Sequence, residues 1–459
     1  MTMFTVKFFS FLLILLFILS STFQVCEARK GDLHSSSTTK PKPKPKPKPE
    51  PEPKPSPPPE PSPQPSKKFN VLDFGAKGNG ISDDTKAFQS AWAAACKVQS
   101  STVLVPSDSK FLVGPISFAG PDCQPNIVFQ LDGTIIAPTS SKAWNSGILQ
   151  WLEFTKLKDI TIQGSGTIEG QGSTWWSSSY LNDNLAGKET HSKPTALRFY
   201  GSYNVKVTGI RIQNSPQCHL KFDNCEILEV SNITLSSPGD SPNTDGIHLQ
   251  NSRDAVIHHS DLACGDDCIS IQTGCSNIMV HDVNCGPGHG ISIGGLGKDK
   301  TKACVSNVTV QDVHFANTLT GVRIKSWQGG SGLAKNIKFT NVQVSQVEMP
   351  IVIDQYYCDG KSSCKNQTSA VALSGITYEK IKGTYTVKPV HLACSDSSPC
   401  LAISLTDIEL EPINKGLEMS GPFCWQAYGA THRPTVPPID CLLESKTASY
   451  KMNTDQDSC

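Results

Sequence analysis

The chain has 459 residues, and its 41 basic and 41 acidic side chains give a formal net charge of zero. This balance argues against a nucleic-acid partner, which needs a basic surface. Charged residues are only 18% of the chain, compared with roughly 25% in an average soluble domain. The composition therefore indicates a core rich in small and β-branched residues, and excludes a fold of charged helices.

The N-terminal residues have the pattern of a secretory signal peptide. Lys7 precedes an apolar run from Phe8 to Ser20, whose roughly thirteen residues suit a signal peptide and are short for a membrane span. We predict cleavage after Ala28, which removes Cys26 and leaves an even number of the 17 cysteines. So many cysteines indicate an oxidising compartment, and the mature protein is expected to be secreted and free of the membrane.

Residues 29–68 form a separate Pro-rich segment. Pro recurs at alternate positions from Pro41 to Pro55, and ten basic and four acidic residues give the segment a net charge of +6. Such a chain adopts an extended polyproline II conformation and has little to bury. Two interpretations stay open, a semi-rigid spacer and an electrostatic tether to an acidic polymer. The sequence thus divides into residues 1–28, 29–68 and a folded domain at 69–459, whose own net charge is −6.

The main helical pattern of the folded domain extends from Ser82 to Cys96. Ser82, Asp83 and Asp84 supply N-cap and first-turn groups. One face then carries the apolar residues Ala87, Phe88, Ala91, Trp92 and Ala95. We predict that this amphipathic helix caps the open end of a stack of strands.

A strand pattern, apolar-x-x-apolar-x-apolar, recurs through the rest of the domain at intervals of 23 to 39 residues. Its anchors are Val207, Val230, Ile257, Val280, Val310, Phe339, Tyr378 and Leu405. Asn often precedes the run, as at Asn204, Asn277, Asn307 and Asn336. One strand signal per repeat fits neither a propeller nor a leucine-rich repeat. The sequence therefore predicts an all-β fold, a right-handed parallel β-helix with an N-terminal capping helix.

Reactive side chains are concentrated in four short motifs in the middle of the chain. The motifs are Asn243-Thr-Asp-Gly246, Gly265-Asp-Asp-Cys268, Gly288-His-Gly290 and Arg323-Ile-Lys325. Asp245 precedes Asp267 by 22 residues, and Asp267 precedes His289 by another 22. In a solenoid with that period, equivalent positions lie roughly 5 Å apart on neighbouring strands. The spacing predicts one patch of carboxylates with basic neighbours, which suits hydrolysis of a glycosidic bond.

These motifs, in this order and spacing, resemble those of the polygalacturonases, inverting glycoside hydrolases of family 28, in the form that the plant enzymes carry. Val71–Gly78, Gly166–Gly172 and Asn214–Gln217 agree with the same family, and the resemblance covers about residues 69–445. It implies a secreted, monomeric cell-wall enzyme that hydrolyses α-1,4-galacturonosyl bonds of pectin with inversion and without a metal or organic cofactor.

The resemblance also implies roles for individual residues. Asp266 matches the general acid, and Asp245 and Asp267 match the pair that holds and deprotonates water. An inverting pair of carboxyl groups is separated by roughly 6.5–9.5 Å to admit that water. Crowding of like charges is expected to raise the pKa of at least one of these groups. His289 is expected to orient the acid or a sugar hydroxyl.

The implied partner, the homogalacturonan of pectin, is a polyanion and requires cationic subsites. Arg323 offers a planar fork to a carboxylate, and Lys325 adds a point charge on the same strand face. Asn243 is expected to hydrogen-bond the sugar or to position Asp245. Tyr357 resembles the substrate-stacking tyrosine of the family.

The cysteines of a secreted chain are expected to form disulfides, although Cys264-x3-Cys268 is close to a metal-ligand spacing. The resemblance implies a bridge between Cys268 and Cys285. Short loops and the C-terminal position predict the pairs Cys358–Cys364, Cys394–Cys400 and Cys424–Cys441, and the remaining pairing stays open. Candidate glycosylation sites in N-x-[ST] sequons are Asn232, Asn307 and Asn366.

Several alternatives stay open. His258 and His259 carry no motif and are expected to be surface or packing residues, and Gly294–Lys298 lacks the spacing of a phosphate-binding loop. A pectin-binding wall protein without turnover would share the scaffold, but the intact set of acids argues against it. A pectate lyase would need Ca²⁺ and an Arg base, which the paired Asp motif disfavours. The motifs serve endo and exo cleavage alike, and they do not reveal tolerance of methyl-esterified pectin.

Overall fold

The computed structural model describes residues 67–140, 143–144, 150–176, 193–358, 369–413 and 421–444. In these ranges the strands pair in parallel and form one 20-stranded and one 11-stranded sheet. The predicted signal peptide and the Pro-rich segment up to residue 66 lie outside the described residues and stay predictions. No helix in the described part of the chain is long and apolar enough to cross a membrane.

The elements are short and follow one another closely. The strands are β1 (Lys68–Asn70), β2 (Asn79–Asp83), β3 (Thr102–Val105), β4 (Lys110–Leu112), β5 (Ile116–Ala119), β6 (Ile127–Leu131), β7 (Thr134–Ile136), β8 (Gln150–Thr155), β9 (Lys158–Gln163), β10 (Thr167–Glu169), β11 (Thr195–Tyr200), β12 (Tyr203–Thr208), β13 (Arg211–Gln213), β14 (Leu220–Asp223), β15 (Glu226–Ser231), β16 (Thr234–Ser236), β17 (Ile247–Gln250), β18 (Arg253–Ala263), β19 (Ile269–Ile271), β20 (Cys275–Cys285), β21 (Ile291–Leu296), β22 (Lys302–Ala316), β23 (Thr320–Ser326), β24 (Ser331–Val347), β25 (Met349–Asp354), β26 (Ala372–Tyr385), β27 (Val390–Ala393), β28 (Cys400–Pro412), β29 (Phe423–Trp425), β30 (Ala427–His432) and β31 (Leu443–Glu444). The helices are α1 (Thr85–Ala95) and α2 (Ser173–Trp176), with 3₁₀ turns at Val71–Phe74 and Lys298–Lys300. The smaller sheet contains β5, β8, β11, β14, β17, β19, β21, β23, β25, β27 and β29.

The predicted repeat anchors lie in one register row of the larger sheet. Val207 pairs with Val230, and the row continues anchor by anchor to Leu405. Every anchor is fully buried, so each coil places an apolar side chain directly on that of the next coil. The prediction of a parallel β-helix is confirmed, since a single coil cannot bury its own apolar face and needs its neighbours.

The Asn that precedes four of the eight anchors has a structural role. Asn204, Asn277, Asn307 and Asn336 all have φ between 54° and 56°, in a left-handed region that Asn tolerates better than most residues. Asn307 Nδ2 donates to Asn277 Oδ1 at 3.0 Å, and Asn336 Nδ2 donates to Asn307 Oδ1 at 3.2 Å. The recurrent Asn therefore turns the chain and connects successive coils.

The predicted N-terminal helix is present but starts later than expected. Ser82 and Asp83 belong to β2, so α1 begins at Thr85. The predicted apolar face is buried. The Trp92 ring lies 5.2 Å from the ring of Phe118 and 5.7 Å from that of Phe154. That α1 caps the solenoid stays a prediction.

Several predicted disulfides are present. The structure contains Cys268–Cys285, Cys394–Cys400 and Cys424–Cys441. Cys358 is disulfide-bonded, but Cys364 lies outside the described residues, so that pair stays a prediction. Cys96–Cys123 was not predicted, since its partners are 27 residues apart and share no short loop. Because Cys268 is in a disulfide, the Cys264-x3-Cys268 spacing does not supply two thiolates to a metal.

Two of the candidate glycosylation sites lie in the described residues. Asn232 and Asn307 are both exposed and have φ of 53° and 55°. Asn366 lies outside the described residues. The side-chain amide of Asn307 takes part in the hydrogen bonds between coils, whereas no such bond is formed by Asn232 among the described residues. Replacing Asn307 is therefore expected to destabilise the fold more than replacing Asn232.

Asn307→Ala is expected to lower the free energy of unfolding by about 1 kcal/mol more than Asn232→Ala. Both substitutions put Ala into a left-handed turn, but only the first removes hydrogen bonds between coils. Urea unfolding measures the difference. The proteins are made without N-glycans, because each substitution also removes a sequon and a lost glycan would otherwise contribute to the change. Equal destabilisation would show that the Asn contacts do not stabilise the stack.

Candidate active site

The smaller sheet brings the predicted motifs together. β17, β19 and β21 pair with an offset of 22 residues between successive strands. Asp245, Asp267 and His289 lie two residues ahead of these strands and therefore occupy equivalent positions on three neighbouring coils. β23 pairs with β21 and carries Arg323 and Lys325. The register explains why motifs far apart in sequence form one patch.

Asp267 is the most buried of the three carboxylates, with 3% of its side chain exposed. Its Oδ1 accepts hydrogen bonds from Arg323 Nη2 at 2.6 Å and from Ser292 Oγ at 2.8 Å. Its Oδ2 accepts one from Lys325 Nζ at 2.8 Å. Burial alone would raise the pKa of Asp267, but Lys325 and Arg323 outweigh burial and lower it to about 2. Asp267 is therefore ionised at neutral pH.

Arg323 and Lys325, predicted as cationic subsites, are already paired with Asp267. Their side chains are 11% and 8% exposed, and Arg323 Nε also donates to Ser292 Oγ at 2.9 Å. Arg has five N–H donors and Lys three, so both keep donors for a second anion. Contact of Arg323 and Lys325 with substrate stays a prediction. In the structure both residues hold Asp267 by hydrogen bonds.

Asp266 is held by both of its oxygens. Oδ1 lies 3.0 Å from His289 Nδ1 and accepts the Asp267 backbone N–H at 2.9 Å. Oδ2 accepts a hydrogen bond from Asn243 Nδ2 at 3.3 Å. Asn243 was expected to contact a sugar or Asp245, yet its turn (φ 59°) carries the side chain to Asp266 on the next coil. Both neighbours therefore orient Asp266.

Asp245 is paired with His248, which the sequence analysis missed. His248 Nδ1 lies 3.1 Å from Asp245 Oδ2. Burial raises the pKa of Asp245, the His248 hydrogen bond opposes this, and the charges of Asp266 and Asp267 add to the rise. A raised carboxyl pKa was predicted from charge crowding. The pKa of Asp245 is raised, as predicted for at least one carboxyl group, but the largest cause is burial and not the neighbouring charges.

The three carboxylates open onto a cavity of about 290 Å³. Trp327 and Tyr357 form one wall as an edge-to-face pair, with ring centroids 5.3 Å apart. Lys325 Nζ lies 5.1 Å from the Tyr357 centroid, and Lys298 Nζ lies 5.1 Å from that of Trp327. The cavity is therefore lined by carboxylates, by lysines and by aromatic rings, and Lys325 contacts both Asp267 and the Tyr357 ring.

Several lining residues were not predicted as binding groups. They are Gln217, Lys221, His248, Lys298 and Trp327. Lys221 pairs in register with His248, and that row of paired residues continues to Arg323. Following the row back from Arg323 to β14 would therefore have identified Lys221. Lys298 belongs to the Gly294–Lys298 segment, which lacks the spacing of a phosphate-binding loop and was not assigned another role. Nothing in the spacing of Trp327 distinguishes it from a packing residue.

A metal ion fits this cluster poorly. Asp266, Asp267 and His289 offer ligand atoms within 4.8 Å of one another. Both oxygens of Asp267, however, already accept hydrogen bonds from Arg323 and Lys325, so an added cation would face two positive groups. The expectation that the site needs no metal stays a prediction, and this charge arrangement supports it.

Known proteins share both the sequence and the architecture. Residues 96–420 match the family model described as glycosyl hydrolases family 28. The chain is 43% identical to a probable polygalacturonase of Arabidopsis thaliana over 82% of this chain and 84% of the relative. It is 45% identical to a polygalacturonase of Cryptomeria japonica over 75% and 67%. A solved polygalacturonase from Erwinia carotovora ssp. carotovora has a TM-score of 0.64 at 24% identity, covering 81% and 98%, which supports the fold alone.

Asp267→Asn is expected to lower the free energy of unfolding by about 3–5 kcal/mol at neutral pH, because it leaves two buried cations without their carboxylate. Asp266→Asn is the matched control, since Asp266 pairs with neither Arg323 nor Lys325, and we expect a change below about 1 kcal/mol. Urea unfolding measures both values.

The pH dependence of this difference follows from the lowered pKa. The folded-state pKa of Asp267, about 2, lies below its ordinary value of 3.8. Its stabilising contribution is therefore present above the ordinary value and is lost as the pH falls towards about 2. The gap in unfolding free energy between wild type and Asp267→Asn should shrink over that window. A gap that stays constant would contradict the ionised pairing.

Proposed function

The chain belongs to glycosyl hydrolases family 28, and we propose that it is a secreted polygalacturonase that hydrolyses pectin in the cell wall with inversion. The observation that carries the proposal is that three carboxylates on adjacent coils line one cavity together with lysines and aromatic rings. The names of its relatives and the signal-peptide pattern support the substrate class and the compartment.

In the proposed mechanism Asp266 is the general acid. It donates its proton to the glycosidic oxygen as the bond to the departing sugar breaks. His289 and Asn243 contact its two oxygens and fix its direction towards the cavity. Inversion also requires a carboxylate that activates water on the opposite face of the ring.

Asp245 and Asp267 share this second role unequally. A carboxylate with a pKa of about 2 is a weak base, so Asp267 holds the water or the substrate as a permanent anion. Asp245, whose pKa is raised by burial, accepts the proton, because an efficient general base has a pKa closer to the working pH. The different environments of the two groups therefore separate their tasks.

The walls of the cavity suit a polyanionic sugar chain. Lys221, Lys298 and Lys325 line it and offer charge to the carboxylates of successive galacturonic acids. Tyr357 and Trp327 present ring faces and edges to the apolar side of a sugar. The mixture of cations and aromatic rings favours acidic oligosaccharides over neutral ones.

The proposal is tested with polygalacturonate as substrate. Wild-type protein should release reducing ends, and Asp266→Asn should lower the rate by about 10²–10⁴-fold, the usual contribution of a positioned acid, with its Tm retained. Products that absorb in the ultraviolet would instead indicate a lyase. Binding without turnover on several pectins would indicate a wall-binding protein. The length distribution of the products over time separates endo from exo cleavage.

A second experiment tests the assignment of the base. His248→Phe removes the hydrogen bond that lowers the pKa of Asp245, so that pKa is expected to rise further. If Asp245 must be ionised to accept a proton, the acidic limb of kcat/KM moves to higher pH. His314→Gln, which alters a half-buried histidine on β22, is the control. A lower kcat with an unshifted acidic limb would assign the base to another group.

A further inference from the structure

A histidine cluster lies on the larger sheet, on coils that also carry the active site. β18 and β20 pair His258 with His281 in register. The residue that follows on each strand, His259 or Asp282, has a left-handed backbone, with φ of 49° and 53°. The four residues therefore form two equivalent pairs on adjacent coils.

Three of these residues present donor atoms to a common point. His259 Nε2 lies 4.0 Å from Asp282 Oδ2, and His281 Nδ1 lies 2.6 Å from the same oxygen. One ligand atom from each of the three residues lies within 4.8 Å of the others. Two imidazole nitrogens and a carboxylate oxygen are donors that Zn²⁺ and its neighbours among the divalent transition metals bind.

A hydrogen bond between neighbouring rings orients His259. The Nδ1 atoms of His258 and His259 are 2.7 Å apart, so one must donate a hydrogen bond to the other. When His258 Nδ1 is the acceptor, His259 donates from Nδ1 and keeps the lone pair of Nε2 towards Asp282. Metal-binding histidines typically donate their other ring N–H in this way.

His258 also packs against the second histidine ligand. The His258 and His281 rings stack at 5.0 Å with an interplanar angle of 6°. His281 Nδ1 and Asp282 Oδ2 are hydrogen-bonded to each other at 2.6 Å, so an ion that binds both atoms replaces the proton between them.

We propose that His259, His281 and Asp282 bind a divalent transition metal ion such as Zn²⁺, with His258 orienting His259 and water completing the coordination. The side chains of His259 and Asp282 are 58% and 49% exposed, so the ion enters directly from solvent. Because the ligands come from β18 and β20, the bound ion connects two coils of the solenoid. The site does not depend on the proposed hydrolysis.

Calorimetric titration of the full chain with zinc chloride tests the proposal. Wild-type protein should bind one ion at this site, and His281→Gln or Asp282→Asn should weaken binding by about tenfold or more. His258→Phe keeps the ring stack but removes the acceptor for His259, and should weaken binding by about 10–100-fold, the usual effect of losing such a partner. His314→Gln, on the neighbouring strand β22, should leave the affinity unchanged.

Two results would overturn the proposal. One is a Zn²⁺ affinity in His281→Gln equal to that of wild type. The other is binding that Asp266→Asn abolishes and His281→Gln does not, which would place the ion at the carboxylates of the cavity. As a second measurement, Zn²⁺ should raise the Tm of wild type but not that of His281→Gln, because a ligand that binds only the folded state stabilises it.

Discussion

The ion pair between Asp267 and the two cations of β23 is the interaction on which the candidate active site depends. Buried Arg323 and Lys325 need an anion beside them, and Asp267, which precedes β19 two coils earlier, supplies it. Because Asp267 uses both oxygens to hold these cations, its position and its charge are fixed. Burial raises the pKa of Asp245, and the permanent negative charge of Asp267 adds to the rise. The ion pair therefore keeps Asp267 ionised, whereas burial gives the similar carboxylate of Asp245 a different chemistry.

The parallel stack makes this arrangement possible. Equivalent positions of successive coils lie one strand spacing apart, about 4.8 Å, so any polar position can be repeated and then varied. Asn307 uses a left-handed turn to donate a hydrogen bond to Asn277 on the preceding coil. Asn243 uses the same backbone region to reach Asp266, and His259 and Asp282 use it to face each other. The left-handed turn that stabilises the solenoid therefore also positions side chains of the candidate active site and of the histidine cluster.

Periodic features could be predicted from the sequence, and contacts that depend on side-chain direction could not. The buried anchors from Val207 to Leu405 repeat with the coil, so their register was predictable. The pairing of His248 with Asp245 depends on the directions of two side chains three residues apart at the start of β17. The spacing of the motifs does not reveal those directions. Likewise, Arg323 and Lys325 were assigned to the right patch, but their partner Asp267 became visible only with the register of β19, β21 and β23.

Local charge explains how an acidic domain can bind an acidic polymer in the proposed mechanism. The domain from Phe69 onward has a net charge of −6, but Lys221, Lys298 and Lys325 line the cavity beside its three carboxylates, and Arg323 is paired with Asp267. When Asp266 carries its proton, the three lysines and Arg323 outnumber the charges of Asp245 and Asp267, so this region attracts a polyanion. The local charge around the three carboxylates, and not the net charge of the domain, therefore governs binding of the acidic polymer in this mechanism.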